Sequence, residues 1–132
     1  VKISDEELEF ITGIKDEKEA LNFLLTGDVE VIIYTKGTNG AEFITKERVI
    51  FSPSFKVSAQ DTTGAGDSFI GSLLYQVAEG EYSLEELVTL SEEKVQEILT
   101  FSNATAALTV CKKGAIGALP LKEEVLAKIS ER

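Results

Sequence analysis

The residues most able to do chemistry lie in one run, Asp61-Thr62-Thr63-Gly64-Ala65-Gly66-Asp67. Two carboxylates bracket a glycine-rich turn. An apolar series follows it at once: Phe69, Ile70, Leu73, Leu74, Val77 and Ala78 share one helical face. Gly64 and Gly66 allow positive φ and close backbone approach to a ligand. A turn feeding a helix leaves backbone N–H groups without intrahelical acceptors, and those groups favour an anion. Asp67 falls in the first helical turn, where the helix dipole favours its charged form. A carboxylate touching a phosphate would repel it. It fits instead as a base, drawing a proton from a hydroxyl that attacks a phosphoryl group held by the turn. Read plainly, the same residues are a tight turn and a helix-stabilising charge.

Composition narrows the alternatives. The chain has 132 residues, and 13 Lys and Arg stand against 23 Asp and Glu, for a formal net charge of -10. That balance argues against nucleic acid or an anionic membrane surface as partner. A phosphorylated ligand would need local compensation from backbone N–H groups and a bound Mg²⁺. Histidine is absent, which excludes Ser-His-Asp and Cys-His catalysis. The single Cys111 permits no internal disulfide, in keeping with a reducing cytoplasm.

The elements that must position the turn read as α/β. Val1–Ile3 and Val29–Lys36 are strands, the second β-branched and suited to a parallel sheet. Between them, Ser4-Asp5-Glu6-Glu7 starts a helix as a capping box, and Asp16 starts a second. Thr35-Lys36-Gly37-Thr38-Asn39-Gly40 follows the second strand, at the edge where open α/β sheets bind ligands. Asn39-Gly40 is also a hairpin signal, with Ala41–Thr45 returning. Arg48–Phe51 is a further strand, and Phe55–Val57 reads as a last extended piece. Four helices are expected after Gly66, the longest from Ser91 to about Cys111. The small residues Ser102–Ala107 in its middle admit either close helix packing or a flat ligand. The helices outnumber the strands they could cover.

The run Asp61–Asp67 resembles, in order and ungapped, the signature of the ribokinase-like, or PfkB, sugar kinases, and the likeness extends along the chain. The stretch from Phe101-Ser102-Asn103-Ala104 through Lys113-Gly114-Ala115-Ile116 looks most like bacterial fructokinases. The resemblance implies the C-terminal part of a ribokinase-like, Rossmann-like three-layer fold. It implies that Asp67 is the catalytic base and that the N–H groups around Gly64, Ala65 and Gly66 form the anion hole. Thr35, Gly37 and Gly40 fit the T-x-G-x-x-G nucleotide loop, and Asn103 with Ala107 falls at the adenine pocket. Asp61 and the loop at 114–116 match a monovalent-cation region, K⁺ in many members. Glu7 fits the Glu of the N-x-x-E motif that organises Mg²⁺, with Ser4 in place of the Asn. Beside this role stands Glu7 as a plain capping partner.

Members of the family are markedly longer, and the part that carries sugar specificity and the lid has no counterpart here. The chain, residues 1–132, is thus expected to be the C-terminal, ATP-side portion of a cytoplasmic sugar kinase. Fructose is the first substrate expected. Ribose, 2-keto-3-deoxygluconate or a nucleoside is the alternative acceptor. A non-catalytic nucleotide-binding piece, or one that pairs with another chain or its own copy through an exposed sheet edge, is the alternative role.

Overall fold

The computed structural model describes residues 1–112 and 120–131. A four-stranded sheet in the order β1-β2-β3-β4 lies between two helical layers. β1 (Lys2–Ser4) and β2 (Ile32–Thr35) are parallel, while β2, β3 (Ala41–Ile44) and β4 (Val49–Ser52) run as antiparallel neighbours. The helices are α1 (Asp5–Thr12), α2 (Glu17–Leu24), α3 (Ala65–Glu79), α4 (Leu84–Val88), α5 (Glu92–Val110) and α6 (Lys122–Ser130).

Alternation along the strands divides the core. Ile32, Tyr34 and Ile44 point to one face and meet Ile3, Leu8, Ala20 and Leu25 beneath α1 and α2. Ile33, Phe43 and Ile50 point to the other face and meet Phe69 and Leu73 of α3 and Val95, Ile98 and Leu99 of α5. The expected three layers are therefore present. Two strand expectations shrink. Val29–Val31 lies outside β2 despite its branched residues, with Val31 bonded at its carbonyl by the Val1 ammonium at 2.8 Å. Phe55–Val57 forms no strand.

The β2–β3 hairpin is real, but its loop is longer than a two-residue turn. Thr35 pairs with Ala41, and a single 3-10 turn at Gly37–Asn39 fills the gap. The loop is closed by Lys36 N–H donating to the Gly40 carbonyl at 2.8 Å and Asn39 N–H donating to the Lys36 carbonyl at 3.0 Å. Gly40 adopts φ 110° and ψ -152°, a conformation closed to other residues.

The base of this loop is pinned by a charged cluster that sequence reading did not find. Tyr34 Oη donates to Glu17 at 2.9 Å, and Lys36 Nζ donates to Glu42 at 2.8 Å while standing 5.2 Å from the Tyr34 ring. Burial first, then the Glu17 hydrogen bond, pushes the Tyr34 phenol above the usual tyrosine range. The folded chain thus holds this proton more tightly than the unfolded chain. Its contribution to stability is complete below the unfolded value of about 10 and is lost as pH rises beyond it. Melting curves from pH 8 to 11 should show the wild type losing stability above about pH 10 more steeply than Tyr34→Phe. Equal slopes would remove Tyr34 as the cause.

Candidate functional site

The carboxyl ends of the two parallel strands bring the candidate residues to one edge. Ser4 pairs with Thr35, so the start of α1 and the start of the Lys36–Gly40 loop are neighbours. This placement follows from topology, because both connections leave the same end of the sheet.

At the first of these ends Ser4 caps α1. Glu7 N–H donates to Ser4 Oγ at 3.3 Å, and Ser4 N–H donates to Glu7 Oε2 at 2.8 Å. The capping role of Glu7 is thus realised. Those two hydrogen bonds, backbone first, hold its carboxyl below the usual range, with Lys2 helping at 3.8 Å. Lys2 carries a further signal, since a Cβ built on Gly66 would lie 3.6 Å from its Nζ. The ammonium group therefore stands against the first turn of α3. A lysine on a three-residue strand gave no sequence signal for this, since its partners come from far along the chain.

The glycine turn is built as its composition suggests. Asp61 Oδ1 accepts from Thr63 N–H at 2.9 Å, Gly64 takes φ 82° as the cap of α3, and the helix begins at Ala65, two residues before Asp67. Ala65 N–H donates to the Thr62 carbonyl at 3.3 Å and Ser68 N–H to the Gly64 carbonyl at 2.9 Å. Among the described residues, the N–H groups of Gly66 and Asp67 have no such acceptor. These are the orphan donors of a helix start, aimed outward. Asp67 is exposed, and its carboxylate has no hydrogen-bond partner among the described residues. Gly64 and Asp67 line a cavity of about 580 Å³ with Tyr75, Phe101, Thr105 and Lys122.

Thr35, Gly37 and Gly40 do not line that cavity; they stand at the end of β2. Asn103 and Ala107 are both buried on α5. The Asn103 amide donates to the Ser52 carbonyl at 3.2 Å and to Ser52 Oγ and the Pro53 carbonyl at 3.3 Å each. Gly114–Ile116, the other half of the expected cation region, lies outside the described residues. Gln76 is a second residue that sequence reading passed over. Its amide ties α3 to α5 by donating to the Ile98 carbonyl at 3.1 Å and Ser102 Oγ at 3.2 Å. Its only sequence signal is a long polar side chain within an apolar helix.

Comparison with known proteins bears on this geometry. The pfkB family carbohydrate kinase pattern matches residues 1–122. A probable fructokinase-2 of Arabidopsis thaliana is 43% identical over 129 residues, covering 96% of this chain and 37% of that protein. A fructokinase of Xylella fastidiosa, solved with bound ATP, superimposes with a TM-score of 0.89 at 30% identity over 99% of this chain and 42% of that one. A fructokinase of Vibrio cholerae, solved with fructose, ADP and calcium ion, gives 0.82 and 30% over 98% of this chain and 40% of that one. The chain therefore spans little more than a third of the length of the curated relatives it matches. With its sheet order, its glycine turn and its hairpin loop in place along nearly the whole matched length, the chain belongs to the pfkB family of carbohydrate kinases.

Proposed function

We propose that the protein carrying this chain transfers the terminal phosphoryl group of ATP to a sugar hydroxyl, fructose before ribose, 2-keto-3-deoxygluconate or a nucleoside. This chain is its ATP-side, catalytic portion. One observation carries the reading: the N–H groups of Gly66 and Asp67 open beside the Asp67 carboxylate, all three without a partner among the described residues. The N–H groups of Gly66 and Asp67 stabilise charge on the transferring group, the Ala65 N–H being held by the Thr62 carbonyl, and Asp67 takes the proton of the attacking hydroxyl. Such transfer is governed by positioning and charge, so a rigid cradle suffices. The loop at Thr35, Gly37 and Gly40, with Asn103 and Ala107 behind it, holds the nucleotide.

Among the described residues no three Asp, Glu, His or Cys side chains enclose a metal site. Mg²⁺ would arrive with the nucleotide, with Glu7 as its indirect contact in this chain, and would supply positive charge to the phosphates. Asp61 is assigned to a monovalent cation, K⁺ by preference. No helix of the described residues is long and apolar enough to cross a membrane. A cytoplasmic setting belongs to the proposal on a separate ground, the single Cys111 in a chain suited to reducing conditions.

Titration calorimetry of the chain with ATP and Mg²⁺ tests the nucleotide half. A chimera joining the unmatched portion of the Xylella fructokinase to this chain tests the transfer, read as fructose-dependent release of ADP. Absence of both binding and turnover would refute the proposal.

The edge of β1 supports a second reading, in which this chain pairs with another. β1 ends the sheet, and Val1, Phe10, Ile11 and Leu74 around it are 60%, 92%, 60% and 58% exposed. A cavity of about 480 Å³ under Leu74, Val77 and Leu84 continues the apolar edge. The occupant we assign is a strand from the portion of the family fold that this chain does not span. Such an edge left open would also pair with its own copy. Sedimentation of the isolated chain should then show self-association, and a strictly monomeric species would count against the edge.

A further inference from the structure

α5 meets the end of β4 with polar side chains rather than apolar ones. Gln96 Nε2 donates to the Phe51 carbonyl at 2.6 Å, Thr100 Oγ1 and Ser52 Oγ share a contact of 3.5 Å, and Asn103 reaches both Ser52 and Pro53. The spacing of four and then three residues puts all three on one helical face. Ser52 is fully buried and Asn103 is 4% exposed, so the Asn103–Ser52 bonds are made away from water, where an unmet partner is costly.

The segment they fix is the wall of the nucleotide loop. A Cβ on Gly40 would collide with the Ser52 carbonyl oxygen and lie 2.9 Å from both Pro53 Cα and Ser54 N. Gly40 closes the loop by accepting from Lys36 N–H and donating to the Gly37 carbonyl at 3.3 Å. A continuous set of contacts thus runs from Asn103 through Ser52 and Pro53 to Gly40.

We propose that Asn103 is a positioning residue: its amide fixes the 52–54 segment and thereby the shape of the Lys36–Gly40 loop, with no need for that amide to touch the adenine. The inference rests on the reading of this loop as the nucleotide loop, but its first test does not. Amide hydrogen exchange is measured on the unliganded chain and on Asn103→Asp, which keeps the side-chain size and loses the donor. Exchange at Lys36, Asn39 and Gly40 should quicken about tenfold or more, while Ile33 and Val95 stay as in the wild type. Uniform quickening at all five would mark a general loss of stability and overturn the proposal, as would an unchanged loop. Asn103→Ala adds no buried charge and supplies the same readout if Asn103→Asp does not fold. The second test compares ATP with GTP in binding. Loop positioning lowers both affinities by the same factor, whereas a shift in their ratio beyond about twofold identifies a base contact and overturns it. Should the wild-type chain bind neither nucleotide, the function above fails and the exchange result still decides the role of Asn103.

Discussion

Asp67→Asn in a turnover-competent protein containing this chain should lower kcat by about 10²–10⁴, the usual range for loss of a positioned base. ATP affinity should stay within about threefold, since the amide keeps the size of the carboxylate and the cradle is backbone. The structure gives the contrast its force. Asp67 is exposed and has no hydrogen-bond partner among the described residues, so its replacement breaks no described contact. Its structural contribution among the described residues is a charge in the first turn of α3, worth about 0.3–1 kcal/mol. A purely structural Asp67 predicts a small fall in melting temperature and an unchanged kcat. A catalytic Asp67 predicts the same small fall in melting temperature together with the large loss of kcat. Steady-state kinetics of fructose phosphorylation beside a thermal melt separates them, and near-normal kcat in the variant would end the base assignment.

Much of this site is legible in sequence because it is made of local signals. Of the two glycines expected to use positive φ, Gly64 does so at 82°, while Gly66 is already inside α3 with helical backbone, because the turn is complete one residue before the helix begins. Ser4 followed by Glu7 announces a reciprocal cap, and the cap forms. The parallel order of β1 and β2 across two helices follows from the chain's right to cross over only with a helical connection. What escaped depends on partners distant in the chain. Asn103 and Ser52 are 51 residues apart, and Lys2 meets Gly66 across more than sixty. No periodicity encodes such pairs. Val29–Val31 failed as a strand for a related reason: β-branching suits a sheet, but a strand ends where its neighbour ends, and β1 is only three residues long.

Helical periodicity also hides which apolar residue is structural, and the second large effect turns on that. Leu99→Ala should destabilise the chain by about 2–5 kcal/mol in urea unfolding, with Leu74→Ala changing stability by no more than about 0.5 kcal/mol. In sequence the two leucines are alike, each within an apolar helical face. In the fold Leu99 is 0% exposed, between the sheet face of Ile33, Phe43 and Ile50 and the Phe69–Leu73 face of α3. Leu74, beside the buried Leu73, is 58% exposed. Truncating Leu99 removes transfer energy and leaves a cavity that α3, α5 and three strands cannot all close. For a domain with a typical stability of about 5–15 kcal/mol, that is a large share. The pair also tests the open edge of β1. If a strand-bearing partner covers Leu74, as the second reading requires, Leu74→Ala leaves the isolated chain intact but weakens the assembled species. Equal costs for the two leucines in the isolated chain would contradict both the packing described for α5 and the exposure of that edge.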